Sequence, residues 1–343
     1  MPLRTTVIGS YPKPDYLEIP DWFKPPYEVR PTDYSEYCKK TSLEELEEVL
    51  KKAIKDVIDE QTELGIDVIT DGDMSRENYI FFFCRHIKGF DFENPILRPI
   101  RNGALKAHLP RIVGKIEPCN EDDWAAKEWR MAQDMSRVPV KYTVPGPTTI
   151  IGTTHNEYYS NDEELSKDLI KVINKQILGL VNAGCRSIQI DEPVFARNPD
   201  VALNYGIDHA MKCFDGVGKD VVKTVHLCCG YPTHLSYNPT TPTISVVNDY
   251  DNNNDVAIED AHRHNDLTLL KHFKKSQVVL GVLAVARSRV ETTEEIRNRL
   301  SEALKYIPAE RLLVAPDCGL GFLPHGILKQ KLQNMVKAAK SLP

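Results

Sequence analysis

The chain has 343 residues, 41% of them hydrophobic and 27% charged, and a formal net charge of −6. That length holds one large α/β domain or two average ones, with the composition of a globular protein. The negative balance gives no electrostatic reason to expect nucleic acid or an anionic membrane as partner, and no apolar run approaches the roughly 20 residues that span a bilayer.

From the first residues, MPLRTTVIGSYPKP runs straight into a strand-like segment without the apolar core of a signal peptide, so a cytoplasmic location is expected. Short apolar runs then alternate with stretches of helical period. The expected strands are TTVIGS (5–10), DVIT (67–70), KYTVPG (141–146), SIQID (187–191), VVKTVHL (221–227), DVAIE (255–259), VVLGVLAV (278–285) and RLLVAP (311–316). Expected helices run from Ser42 to Gly65, from Asn161 to Gly184, from Thr292 to just before Pro308, and from Ile327 to Leu342.

Eight strands with intervening helices predict a single (β/α)8 TIM barrel over residues 1–343. A doubly wound sheet is the alternative. The barrel is preferred because polar, ligand-type residues cluster at the C-terminal ends of nearly all the strands, which a barrel gathers into one mouth. Two stretches exceed the minimal plan. Residues 86–118 read as an inserted hairpin or small subdomain after strand 2. The polar segment 231–254, after strand 5, reads as a long loop that is either a lid or disordered.

The eight cysteines are scattered, which in a reducing compartment means apolar fillers, metal ligands or nucleophiles. TVHLCCGYP (224–232) concentrates the question. On a strand, residues two apart share a face, so His226 and Cys228 can grip one ion while Cys229 points away. Glu259 and Cys318 stand at matching depths of later strands. One imidazole, two thiolates and a carboxylate suit a catalytic zinc site, although four ordinary residues fit the same spacing.

IGSYP, KYTVPGPTTI, IQIDEP, VHLC, DVAIE and VAPDCGLG, in this order, resemble the catalytic domain of cobalamin-independent methionine synthase. The resemblance runs from Ile8 to the final helix, and IQIDEP and PDCGLG are its most specific parts. It implies a TIM barrel with zinc at its mouth, held by His226, Cys228, Glu259 and Cys318. It implies an S-methyltransferase whose partners are a small-molecule thiol, homocysteine or a similar one, and an alkyl donor. By the same resemblance, the backbone of Ile8, Gly9 and Ser10 receives the thiol substrate's carboxylate, and Asp73 and Asp191 read its amino group.

The chain departs from the family pattern in places. Asp73 stands where the family more often has Glu, Thr153 where a Trp commonly stacks on folate, and Ala284 and Ala286 where an Asp and a His perform acid–base work. No acid for the departing donor, and no stacking partner for folate, carries over. The sequence also has no room for the N-terminal barrel of full-length members. Single-barrel relatives that open an epoxide with coenzyme M are therefore the runner-up, with Arg197, Arg287 and Arg289 available for the sulfonate. A metal-free barrel like uroporphyrinogen decarboxylase, or a non-catalytic binding protein, are the remaining alternatives. The sequence leaves the oligomeric state open.

Overall fold

The computed structural model describes residues 2–24, 30–100, 105–119, 123–228, 254–286 and 289–343. Cys229, Arg287 and all of the 231–254 segment except Asn254 lie outside these described residues. In chain order the strands are β1 (Arg4–Thr5), β2 (Ile87–Ile100), β3 (Leu105–Pro118), β4 (Tyr142–Pro145), β5 (His155–Asn156), β6 (Ser187–Asp191), β7 (Val222–Leu227), β8 (Asp255–Ile258), β9 (Val278–Gly281) and β10 (Leu312–Ala315).

Seven of them form one parallel sheet in the order β1-β10-β9-β8-β7-β6-β4. The sheet curls until its two edges flank a single segment. Thr6 bridges to Val68, and Ile69 bridges to Val140 just before β4. The backbone amide of Val68 donates to Thr5 at 3.1 Å, and that of Lys141 to Ile69 at 2.8 Å. Every residue of β4, β6, β8, β9 and β10 is buried. That is why these strands are apolar without strict alternation: helices cover one face and the interior of the curl the other.

The helices expected from periodicity are present. Leu43–Glu63 begins at Ser42, whose hydroxyl accepts from the Glu45 amide while Glu45 reaches back to the Ser42 amide. Asp162–Ala183 is capped by Asn161 and ends at Gly184, whose φ of 110° only glycine adopts readily. Thr293–Ala303 and His325–Lys340 complete the set. Helix Tyr79–Arg85 carries an aromatic run. Phe81, Phe82 and Phe83 are buried, and Phe81 and Phe83 belong to the main apolar core.

Three expected strands are shorter than their sequences suggested. In 5–10 the ladder gives out early, because loop partners take its carbonyls: Gly9 accepts from the Thr70 hydroxyl at 2.8 Å and Ser10 from the Leu320 amide at 2.7 Å. The segment 67–70 pairs only through the two bridges already described. The run 278–285 stops as a strand at Gly281, and the Ala284 amide turns aside to donate to Glu291 at 3.0 Å. Residues 87–100 and 105–118 form the long antiparallel pair β2–β3, and β3 also pairs parallel with β5. Arg111 pins this unit through Asp91 at 2.6 Å and Glu157 at 2.9 Å. No helix among the described residues is long and apolar enough to cross a membrane.

Candidate active site

Strand ends on one side of the curled sheet deliver the reactive side chains. His226 is the penultimate residue of β7 and Cys228 follows its end; Glu259 follows β8, and Cys318 lies three residues beyond β10. Their donor atoms all lie within 4.8 Å of one another. The two sulfurs are 3.4 Å apart. His226 is 2% exposed, and neither ring nitrogen has a hydrogen-bond partner among the described residues. Such an imidazole is costly to bury unless something takes its lone pair. The neighbouring Cys228 thiol and burial push the Cys318 thiol well above its ordinary pKa. Two thiolates so close are tolerable only around a cation, and a cation is also what His226 lacks, so this donor set fits a divalent metal.

The turn after β8 is built around Asp317, the residue before Cys318. One oxygen of its carboxylate accepts from the amides of Asp260 and Ala261 at 3.1 and 2.9 Å. The other accepts from the His262 amide at 2.7 Å and lies 2.8 Å from His262 Nδ1. Gly281 makes room for this, since a Cβ there would sit 2.3 Å from Asp317 Oδ1. His262 Nε2 accepts from the Ala286 amide at 3.1 Å. The backbone of Ala284 is gripped from both sides, its amide by Glu291 and its carbonyl by Lys331 at 3.0 Å. Charged side chains thus hold the segment where the two alanines stand.

A cavity opens beside the donor group. Ile8, Gly9, Ser10, Asp73, Asp191 and Arg197 line it together with His226, Cys228 and Cys318. The structure gathers Ile8, Gly9, Ser10, Asp73, Asp191, Arg197, His226, Cys228 and Cys318 onto one cavity wall and places Glu259 in the donor group. Arg289 stands apart, exposed and paired with Glu295 at 2.9 Å. Thr153 is also on the wall, its hydroxyl donating to Thr149 at 2.6 Å. Burial raises the Asp191 carboxyl to about 6, against the lowering pull of His226 and a hydrogen bond donated by Gln189 at 2.7 Å. Glu192 does not face the cavity. It accepts from the amides of Thr148 and Thr149, both at 3.0 Å, at the start of helix Pro147–Gly152.

Asp73 has a positive φ of 56° and carries an ion pair the sequence did not suggest. Arg76 lies 3.1 Å from it, 3.2 Å from Glu128, and donates to the Thr143 carbonyl at 3.0 Å. Lys13 and Asp21, 3.6 Å apart and both buried, stand nearby. Trp22, Phe23 and Tyr79 give the cavity an aromatic side, with ring centroids 5.4 and 5.8 Å from Trp22. The only signals in the sequence for Arg76 and Lys13 were a basic residue three after Asp73 and one three after Ser10.

The family described as cobalamin-independent synthase, catalytic domain, matches residues 3–341. Among curated proteins, the methionine synthase of Saccharolobus solfataricus is 34% identical over 98% of this chain and 94% of its own length. That of Sulfolobus acidocaldarius is 33% identical over 98% and 91%. A solved B12-independent methionine synthase from a Shewanella species, in complex with selenomethionine, superimposes with a TM-score of 0.85 at 26% identity, covering 99% of this chain and 98% of that one. With its donor group, its cavity and this extent of likeness, the chain belongs to the cobalamin-independent synthase catalytic-domain family.

Proposed function

We propose that this chain is a zinc-dependent thiol S-methyltransferase that makes a thioether from homocysteine and a methyl donor. The observation that carries the reading is the four-donor group of His226, Cys228, Glu259 and Cys318 set against a cavity whose wall also carries Ser10, Asp73 and Asp191. Bound there, zinc would keep a substrate thiol ionised near neutral pH, where a free thiol of pKa about 8.5 is mostly protonated.

The chain's own residues supply orientation. The backbone at Ile8, Gly9 and Ser10 receives the substrate carboxylate. Asp191 takes the ammonium, and Asp73 assists with its charge shared by Arg76. The aromatic wall and Thr149 and Gly152 of helix Pro147–Gly152, which line the same cavity, would border the donor. Arg197, on the same cavity, favours one competing thiol, a sulfonate such as coenzyme M. The architecture that serves this chemistry is a single (β/α)8 barrel over 1–343, with residues 67–70 as its second strand and the β2–β3 pair as an insertion. The activity belongs to the cytoplasm.

Metal analysis and calorimetry test the reading together. One zinc per chain is expected in freshly purified protein and should be missing from Cys318→Ser. Homocysteine should bind the zinc form, about tenfold or more weakly in Asp191→Asn. Protein purified without metal, and unable to take up zinc, would sink the proposal. A preference for coenzyme M over homocysteine would shift it to the epoxide-opening reading.

A further inference from the structure

Behind the cavity wall, two buried polar residues take no part in the site as described. Lys141, just before β4, is 4% exposed, and Gln189, in β6, is fully buried. Neither lines the cavity. The Lys141 ammonium donates to the Val7 carbonyl and to Gln189 Oε1, both at 2.5 Å. The Gln189 amide nitrogen donates to the Ile8 carbonyl at 2.9 Å and to Asp191 Oδ1 at 2.7 Å.

Burial lowers the Lys141 pKa to about 7 against the raising pull of Asp191, Asp255 and Asp73. In its protonated form Lys141 has only donors, so it fixes which end of the Gln189 amide faces it. With Oε1 held there, the two N–H groups point at Ile8 and Asp191. A flipped amide would set its oxygen against a carbonyl and a carboxylate, three acceptors with no proton among them. One amide thus joins the main chain on the carboxylate side of the thiol site to the carboxylate on its amine side. The ammonium behind it decides the amide's orientation.

We propose that Lys141 and Gln189 are positioning residues that set the selectivity of the thiol site for an α-amino acid. They act through Asp191 and Ile8 and do not touch the substrate. The inference rests on the assignment of Asp191 to the substrate ammonium. It goes further by naming what makes that carboxylate point the right way.

The test compares two ligands by calorimetry on the zinc-loaded protein: homocysteine, and 4-mercaptobutanoate, which lacks only the amino group. Gln189→Glu keeps the side chain's shape and gives Lys141 a carboxylate to pair with, but donates nothing to Asp191 or Ile8. Lys141→Met removes the ammonium and frees the amide to flip. In each variant the preference for homocysteine over 4-mercaptobutanoate should fall about tenfold, the worth of one well-placed hydrogen bond, with zinc content unchanged. Either variant decides the matter if only one folds. A wild-type preference that survives within about twofold in a folded variant would overturn the inference alone. A wild type with no preference would overturn the amine assignment at Asp191, and this inference with it.

Discussion

Asp255 opens β8 at the end of the sheet away from the donor group. It is buried, and its Oδ2 has no hydrogen-bond partner among the described residues. Burial raises its carboxyl from 3.8 to about 7. The protonated form is therefore favoured by folding. Its contribution to stability is complete below pH 3.8 and is lost as pH climbs through about 7. Asp255→Asn removes that dependence. Thermal melts across pH should show the variant more stable than wild type at pH 8, on the order of 2 kcal/mol, with the gap closing toward pH 4. An equal gap at both ends would refute the assignment. At this same scale, the residues legible in the sequence were those with a local rule. His226 and Cys228 share a strand face two residues apart, and Asp191 ends an apolar strand. Arg76 and Lys13 had no such rule, because their meaning comes from partners such as Glu128, 52 residues from Arg76, that only the fold brings near.

Elements were read well where periodicity and caps agree. The helix after Ser42 and the one ending at Gly184 fall within a residue or two of their expected limits. Strand ends were read less well, because at the mouth the ladder gives way to side-chain and loop partners that carry no period. Gly281 is the clearest case. It ends β9 because Asp317 crosses directly over it. In Gly281→Ala the new methyl would also lie 2.7 Å from Asp317 Cα, so the backbone must move and carry Cys318 with it. Zinc affinity measured by chelator competition should fall about tenfold or more, as for other residues that orient metal ligands. Unchanged affinity would mean that Cys318 is positioned independently of Asp317.

For the whole molecule, the proposed ligands come from two adjacent strands and one further away. β7 and β8 are neighbours, and β10 is separated from β8 by β9. A shared ion would cross-link this stretch of sheet. Removing zinc with a chelator should lower the unfolding midpoint, and returning zinc should restore it. Free zinc at 100 times its dissociation constant adds about 2.7 kcal/mol. An identical midpoint with and without zinc would show that the ion, if bound, does not join the strands. The overall architecture was legible because eight apolar runs alternate with helical periods. How completely the sheet curls was not, because residues 67–70 contribute to it through isolated bridges and no sequence pattern announces those.

The pairing of β1 with β10 also orders events during synthesis. Arg4 and Thr5 lie beside Leu313 and Val314, more than 300 residues later in the chain. β1 must wait, with one edge unsatisfied, until the more than 300 residues that separate it from β10 have emerged. Cys318 follows almost at once, so the last sulfur for the ion arrives as the sheet gains its final neighbour. A nascent chain that stalls before that point would expose an open β1 edge and an incomplete set of donors, and both mark it for capture by chaperones.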